Sequence, residues 1–403
     1  MISIGEAQAA ILAECHLVGA RRVPISEARG LVLAETVTAA DDVPHFANSA
    51  MDGFALRSGD VRDPPSTLAL VGNLAAGSQP QTTVGPHQAI RIMTGAPIPP
   101  GADAVVMVER TSMSDDDQVV VNTDCPEGTN IRTSGSDIRQ GQAVLRAGAP
   151  INAGAIGVLA SLGLTHVEAF RRPRVGVLST GDELVDPALP LLIGQIRDSN
   201  RPTLLALVEL AGFEAVDLGR VGDDLAAISA AIEFGVGRCH ALITSGGVSV
   251  GDFDYTTEVL NRLGRMWWWQ VAVKPAKPLA FGTVGGIPVF GLPGNPVSSM
   301  VSFELFAHPA LRKMAGHHQL FRAVHPALAD EDLLRRPDGK CHLVRVTLHA
   351  DDDGRWRACP LADQGSHMLS AMARADALAF LVDGYGVHRG ETVNVMPLGT
   401  LWT

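Results

Sequence analysis

Between Arg174 and about Gly316 the apolar periodicity switches repeatedly between two and 3.6, and this alternation limits the chain to few folds. "RVGVLST" reads as a strand, and "RPTLLALVELAGF" as a helix with Asn200 at its cap and Pro202 in its first turn. "EAVDLG" is a strand, "DDLAAISAAIEFG" a helix capped by Asp223, "HALITS" a strand and "DYTTEVLNRLG" a helix. "WWWQVAV", "LAFGTV" and "IPVFGL" are strands, and "NPVSSMVSFELFAHPALRKMAG" is a long helix. Alternation at this spacing specifies right-handed βαβ units. The expectation is a doubly wound, mostly parallel α/β domain within an α/β multidomain chain.

The flanks read differently. Residues 46–140 are rich in Gly, Pro and Thr with short apolar runs such as "STLALVGNL" and "ADAVVMVER", which points to a small all-β domain. Residues 319–403 carry "HLVRVTLHADDDGRWRACPL" and "ETVNVMPLG", two alternating stretches around an Asp-Gly turn, and predict a second β module. The acidic runs Asp115–Asp117 and Asp351–Asp353 are expected in solvated hairpin turns. Ser3 and Glu6 fit a capping box on a helix running to about Leu17, which lacks the basic lead of a signal peptide and is interrupted by Glu6 and Glu14. The small-residue run from Ala147 to Leu164 reads as a packed helix and turn.

A formal charge of -11 over 403 residues argues against nucleic-acid or anionic-membrane partners. An anionic ligand must be met by locally placed Lys, Arg or backbone N–H groups. Five cysteines without C-x-x-C spacing predict reduced thiols in a cytoplasmic protein.

In an open parallel sheet, ligands bind outside the carboxyl ends of the strands. "STGDEL" places Ser179, Thr180, Gly181, Asp182 and Glu183 there, and "GRVGDD" adds Asp223 and Asp224. "SGGVSVGDFD" offers Ser245, Gly246, Gly247 and Ser249 as bare backbone before a helix, which suits a phosphate or a tight turn, followed by Asp252 and Asp254. It is neither a Walker sequence nor a dinucleotide fingerprint. "KPAKP" follows a strand opened by three tryptophans that should be well buried; its prolines should hold Lys274 and Lys277 on one face of polyproline geometry, where they suit an oxyanion. The gathered carboxylates, Asp198 among them, would repel one another and a phosphate unless a cation intervenes, and hard oxygen ligands indicate magnesium. "GLPGNPVS" sets Pro293, Gly294, Asn295 and Pro296 in a rigid turn, with structural and ligand roles both open. Asp52-Gly53 and Thr94-Gly95 lie outside the sheet domain and read as turn residues.

"NSAMDGFAL", "RIMTGAPIPPGADAVV", "STGDEL", "GQIRDSN", "SGGVSVGDFDYT", "KPAKP" and "GLPGNPVS", in this order over most of the chain, strongly resemble the molybdopterin molybdenumtransferase family, which includes the gephyrin E domain. The resemblance implies an enzyme that takes adenylylated molybdopterin and molybdate, inserts molybdenum at the dithiolene and releases AMP with the help of Mg2+. It implies an elongated homodimer with composite active sites, in which the β domain of one subunit meets the α/β domain of the other. Each subunit would have a linking domain (1–45 and 141–170), a small β domain (46–140), an α/β molybdopterin-binding domain (171–318) and a C-terminal β-barrel domain (319–403).

The family's functional positions fall on Asp52, Thr94, Asp137, Glu183, Asp223, Asp254, Lys274, Lys277, Pro293 and Pro296, with Glu183, Asp223 and Asp254 as the metal set. Ala47 stands where the family usually has an acidic residue, Ala276 where it has glycine, and Gln270 where it often has lysine. Transient contact with the adenylyltransferase and with molybdoenzyme acceptors is also implied. Two other readings stay open: a nucleotide pyrophosphatase or adenylyltransferase built on the same α/β module, and a gephyrin-like scaffold.

Overall fold

A computed structural model describes residues 1–114, 117–246 and 255–399. Its central sheet has six strands in the order Glu214–Val221, Arg174–Thr180, Ala241–Ser245, Ile287–Leu292, Pro278–Val284, Gly264–Gln270. The first four are parallel, and Pro278–Val284 runs antiparallel to both its neighbours. Every residue of Ala241–Ser245 is buried, as expected of a strand covered on both faces. Adjacent residues feed opposite cores. Val177, Ile243 and Phe290 pack with Leu204, Val208 and Val301, whereas Leu178, Leu242 and Val289 pack with Ile228, Ile232 and Val259.

Several local expectations are corrected. Asp224, not Asp223, caps helix Leu225–Val236, its carboxylate accepting the Ala227 N–H at 2.7 Å. Asn200 lies inside helix Asn200–Leu210, whose cap position is Ser199, because its amide is drawn away to the sheet edge. The tryptophan strand is an edge strand and not well buried: Trp267 and Trp269 stack on Phe281 at 5.9 and 6.1 Å, while Trp268 is 37% exposed. It also stops at Gln270. Ile2 accepts from the Ala272 N–H and donates to the Gln270 carbonyl, and Val273–Lys274 leaves to pair with Cys341 and His342. The long helix is α-helical over Pro296–Ser302, π-helical over Phe303–Ala307 and α-helical again over His308–Met314.

At the N-terminus the Ser3–Glu6 capping box is formed on helix Ile4–Glu14. Ala20–Pro24 pairs with His166–Phe170, and Val23, Leu33, Ile151, Leu159 and Ala169 share one core. The intervening chain builds a second six-stranded sheet, with Gly53–Leu56 between Ala104–Met107 and Gln88–Ile92. Gly53 is thus a strand residue rather than a turn residue. A Cβ there would meet the Val106 carbonyl oxygen at 1.9 Å, so the close strand approach requires glycine.

The last region is a closed five-stranded barrel: Cys341–Ala350, Trp356–Pro360, His325–Ala329, Thr392–Pro397 and Ala377–Leu381, the last pairing back to the first. Ala327, Ala329, Ala358, Ala377 and Ala379 pack inside with Val346, Val393 and Val395, small side chains suited to a narrow barrel. Asp351 to Asp353 lie in the turn joining its first two strands, with Arg355 and Arg357 paired to Asp351. Among the described residues no helix is long and apolar enough to cross a membrane.

Candidate functional site

The loops after the parallel strands meet along one edge of the central sheet. Those after Arg174–Thr180 and Glu214–Val221 are clasped by two aspartates. Asp223 donates its backbone N–H to the Asp182 carboxylate at 2.9 Å, and Asp182 returns the bond to Asp223 at 3.3 Å. Gly181 has φ +145°, and a Cβ there would strike the Glu183 carboxylate at 2.5 Å. Gly246 has φ +93° and would meet the Thr180 carbonyl oxygen at 2.8 Å. Asn200 ties two further loops together, its amide nitrogen donating to Ser245 Oγ and to the Gly294 carbonyl, each at 2.7 Å. That residue was expected only as a helix cap; its place after the first strand's loop was the available signal. Asn295 occupies the cap position of Pro296–Ser302 without a side-chain cap bond. Thr180 Oγ1 accepts from Thr256, and Ser179 Oγ donates to Asp198 at 3.2 Å.

The acidic group divides in two. Asp198 is buried and paired with Arg201 at 3.1 Å, so it does not belong to the open cluster. Asp182, Glu183 and Asp223 remain exposed, and among the described residues no ion pair involves them. Uncompensated carboxylate oxygens of this kind fit a hydrated hard cation in chemistry. Among the described residues no group of three His, Cys, Asp or Glu side chains is close enough to hold a metal. Gly247, Ser249, Asp252 and Asp254 lie outside the described residues.

The lysine loop is not polyproline. The Lys274–Pro275 peptide is cis, Ala276 has φ +79°, and the Val271 N–H closes on the Lys277 carbonyl at 2.7 Å. Burial of Ala276 and the pairing of Val273–Lys274 with the barrel bend the segment into a compact turn. Lys274 and Lys277 nevertheless both line one cavity of about 610 Å³. Its other wall comes from the barrel region and contributes Asp338, Lys340, His342 and Ser366, none of which was expected from the sequence. Lys340 and His342 alternate along "DGKCH", and a period-two pattern of polar residues entering a strand was the available signal.

Asp338 accepts from Arg335 at 2.6 Å, Lys340 at 2.9 Å and His342 at 3.1 Å. The Lys340 bond first, then His342, holds its carboxyl far below the usual carboxylate range. Behind this wall Arg345 is fully buried. It donates to the Asp363 and Gly365 carbonyls at 2.9 and 3.2 Å, and its backbone exchanges two bonds with Gln364, which fixes the loop carrying Ser366. Ser366 also accepts the Val297 N–H at 3.1 Å, joining that loop to the start of the long helix.

Asp52, Thr94 and Asp137 lie in the N-terminal β region and do not line the lysine cavity. One Asp52 oxygen accepts both the backbone N–H and the hydroxyl of Thr94, and these two bonds lower its pKa. Phe46, Met51 and Val108, from the same region, are 48%, 43% and 42% exposed. Asp137 is exposed, with its backbone N–H bonded to the Val43 carbonyl at 3.0 Å.

A doubly wound domain set between an N-terminal β region and a C-terminal barrel is an architecture this chain shares with solved molybdopterin biosynthesis proteins. The chain superposes on the crystal structure of the molybdopterin biosynthesis MoeA protein from Pyrococcus horikosii with a TM-score of 0.82 at 28% identity, covering 99% of each chain. A second structure, from Pyrococcus horikoshii OT3, gives 0.84 at 27% identity over 98% of this chain and 100% of the other. Residues 2–163 match the MoeA N-terminal region (domain I and II), 176–313 the probable molybdopterin binding domain and 331–398 the MoeA C-terminal region (domain IV). The molybdopterin molybdenumtransferase of Haemophilus influenzae is 37% identical over 94% of this chain and 93% of its own, and that of Nostoc sp. 39% identical over 93% and 88%. The chain belongs to the molybdopterin molybdenumtransferase family, a family of enzymes.

Proposed function

We propose that this protein acts in molybdenum cofactor biosynthesis, inserting molybdenum from molybdate into adenylylated molybdopterin and releasing AMP. The observation that carries the reading in this chain is the convergence of Lys274, Lys277 and Lys340, from two regions of the fold, on one cavity at the ligand edge of the sheet. In a chain of net charge -11, such a concentration of cations is suited to a small oxyanion. Ser366, held by Arg345 through its loop, adds a hydroxyl for orientation.

The acidic edge takes the pyrophosphate end of the substrate. Glu183, Asp223 and Asp254 would hold magnesium, which when bound neutralises phosphoanhydride charge. The Asp182–Asp223 clasp keeps the two loops in register, and the glycines at 181 and 246 let Glu183 and the Thr180 carbonyl pack against the loop backbone at that edge. Each site is completed by the β region of a second subunit. Support comes from the exposed Phe46, Met51 and Val108 in the β region that carries Asp52, and from the exposed Leu189, Leu192, Ile193 and Ile196 beyond Glu183, two sets of large apolar side chains that a second subunit would cover. Substrate comes from an adenylyltransferase and product passes to molybdoenzyme acceptors, by transient contacts in the cytoplasm.

The test is incubation of the full-length protein with adenylylated molybdopterin, magnesium and low molybdate, recording AMP release and active cofactor together. Both should appear and both should require molybdate. Release of AMP independent of molybdate would favour a nucleotide pyrophosphatase, and an intact dimer without turnover would favour a scaffold.

A further inference from the structure

Asp338 is the acidic residue in the lining of a cavity otherwise supplied with cations. Its Oδ2 accepts from Lys340 Nζ at 2.9 Å and His342 Nε2 at 3.1 Å, while Oδ1 accepts from Arg335 Nη2 at 2.6 Å. Lys340 is thereby turned onto an internal carboxylate. Lys274 and Lys277, on the opposite wall, have no ion pair among the described residues. The carboxylate is also dispensable to its third partner. Arg335 Nη1 donates to the carbonyls of Lys340, Leu381 and Val382 at 2.7, 3.0 and 3.2 Å, and Nη2 also reaches Asp383 at 3.1 Å. Asp383 independently anchors the Asp338 backbone N–H at 3.0 Å, so the loop does not rely on the Asp338 side chain for its position.

We propose that Asp338 is a positioning residue that stands in for the oxyanion: its carboxylate holds Lys340 and His342 in the empty cavity, and an incoming dianion displaces it and takes over Lys340. This rests on the reading of the cavity as the oxyanion site. The exchange is one anion for another at preformed donors, so Lys340 is neither left bare without ligand nor required to reorganise when ligand arrives. It also sets selectivity. A monoanion such as chloride gains little by replacing a carboxylate already in place, whereas a dianion bridging Lys340 to Lys274 and Lys277 gains contacts that the tethered carboxylate does not make.

The experiment is calorimetric titration of the full-length protein with molybdate, and separately with molybdate against rising chloride at constant ionic strength. Wild type, Asp338→Asn, Lys340→Met, the double variant and Lys274→Ala are compared, with thermal melting as the control for folding. Asp338→Asn should bind molybdate about fivefold more tightly, the equivalent of one exposed ion pair removed from competition. It should also become more sensitive to chloride. In the Lys340→Met background the same substitution should change molybdate affinity little, which a merely structural role of Asp338 would not produce. Unchanged or weaker binding by a folded Asp338→Asn protein, or an equal gain with Lys340 absent, overturns the inference and leaves the cavity reading standing. Absence of molybdate binding by wild type, or binding indifferent to Lys274→Ala, overturns the cavity reading and the inference with it.

Discussion

Thr94 donates twice to a single oxygen of Asp52, from its backbone N–H at 2.7 Å and its hydroxyl at 2.8 Å. The pair spans two loops of the N-terminal sheet and lowers the carboxyl pKa, because both bonds favour the charged form. Thr94→Ala leaves the backbone bond but frees the carboxylate to rotate. Molybdenum insertion should fall about tenfold, with stability changed by less than about 0.5 kcal/mol, since the site is exposed. Thr94→Ser should retain activity. Full activity in Thr94→Ala would remove the hydroxyl from any positioning role.

Lys274 is exposed at the mouth of a turn whose backbone is held by other groups, so Lys274→Ala should melt within about 0.5 kcal/mol of wild type. Turnover at limiting molybdate should be lost and should return in part at high molybdate. An unchanged apparent affinity for molybdate would exclude the lysine from the oxyanion site.

The separation of Asp52 from the lysine cavity within one subunit makes subunit exchange informative. On the proposed homodimer with composite sites, Asp52→Ala and Lys274→Ala should each be inactive alone. Mixed and exchanged, they should recover about a quarter of wild-type activity, because one site of each hybrid carries both native residues. No recovery, with exchange confirmed by mass spectrometry, would place both residues in the same subunit's site.

His308 and His317 flank the second half of the long helix. Burial first, then the neighbouring Arg322 and Arg312, push the His308 imidazole down to about 3, and burial with Arg312 pushes His317 down to about 4. Both folded-state values lie below the unfolded one, so the unfolded chain takes up protons first as pH falls. The stability contribution is therefore complete above about pH 6.5 and is lost as pH drops toward 4, at up to about 1.4 kcal/mol per unit and per imidazole. Denaturant melts between pH 7 and 4.5 should fall steeply in wild type and less steeply in His308→Gln. Parallel slopes would show that His308 titrates normally.

The burial of Glu304 opposite Arg322 in the π-helical turn belongs to the same region. Arg322 Nε and Nη2 reach its two carboxylate oxygens at 2.5 and 3.1 Å, yet burial outweighs this pairing and raises the carboxyl pKa. Nothing in the periodicity of "SSMVSFELFAHPAL" announces the extra residue in that turn, because the apolar residues on both sides remain in helical phase with a buried face.

The order of strands and helices, the parallel character of the sheet and the edge at which the strand-end loops gather were legible in the sequence. They follow from periodicity, βαβ handedness and the rule that loops after parallel strands share one edge, all of which act between residues near in the chain. Turn chemistry was legible where only local backbone was involved, as in the Ser3–Glu6 box. What tertiary structure alone decided was the set of partners. The sequence points to Asp223 as the helix cap, but the loop bearing Asp182 takes Asp223 as its clasp and the cap falls to Asp224. The prolines of "KPAKP" permit an extended segment, but the barrel strand at Cys341 and the closure on Val271 bend it. Lys340 and His342 are more than sixty residues from Lys274, and their arrival in one cavity depends on a barrel docking against the sheet edge. Local propensity carries no information about such long-range placement of polar groups, because the energy that brings those side chains together comes from burial of apolar surface elsewhere in the fold.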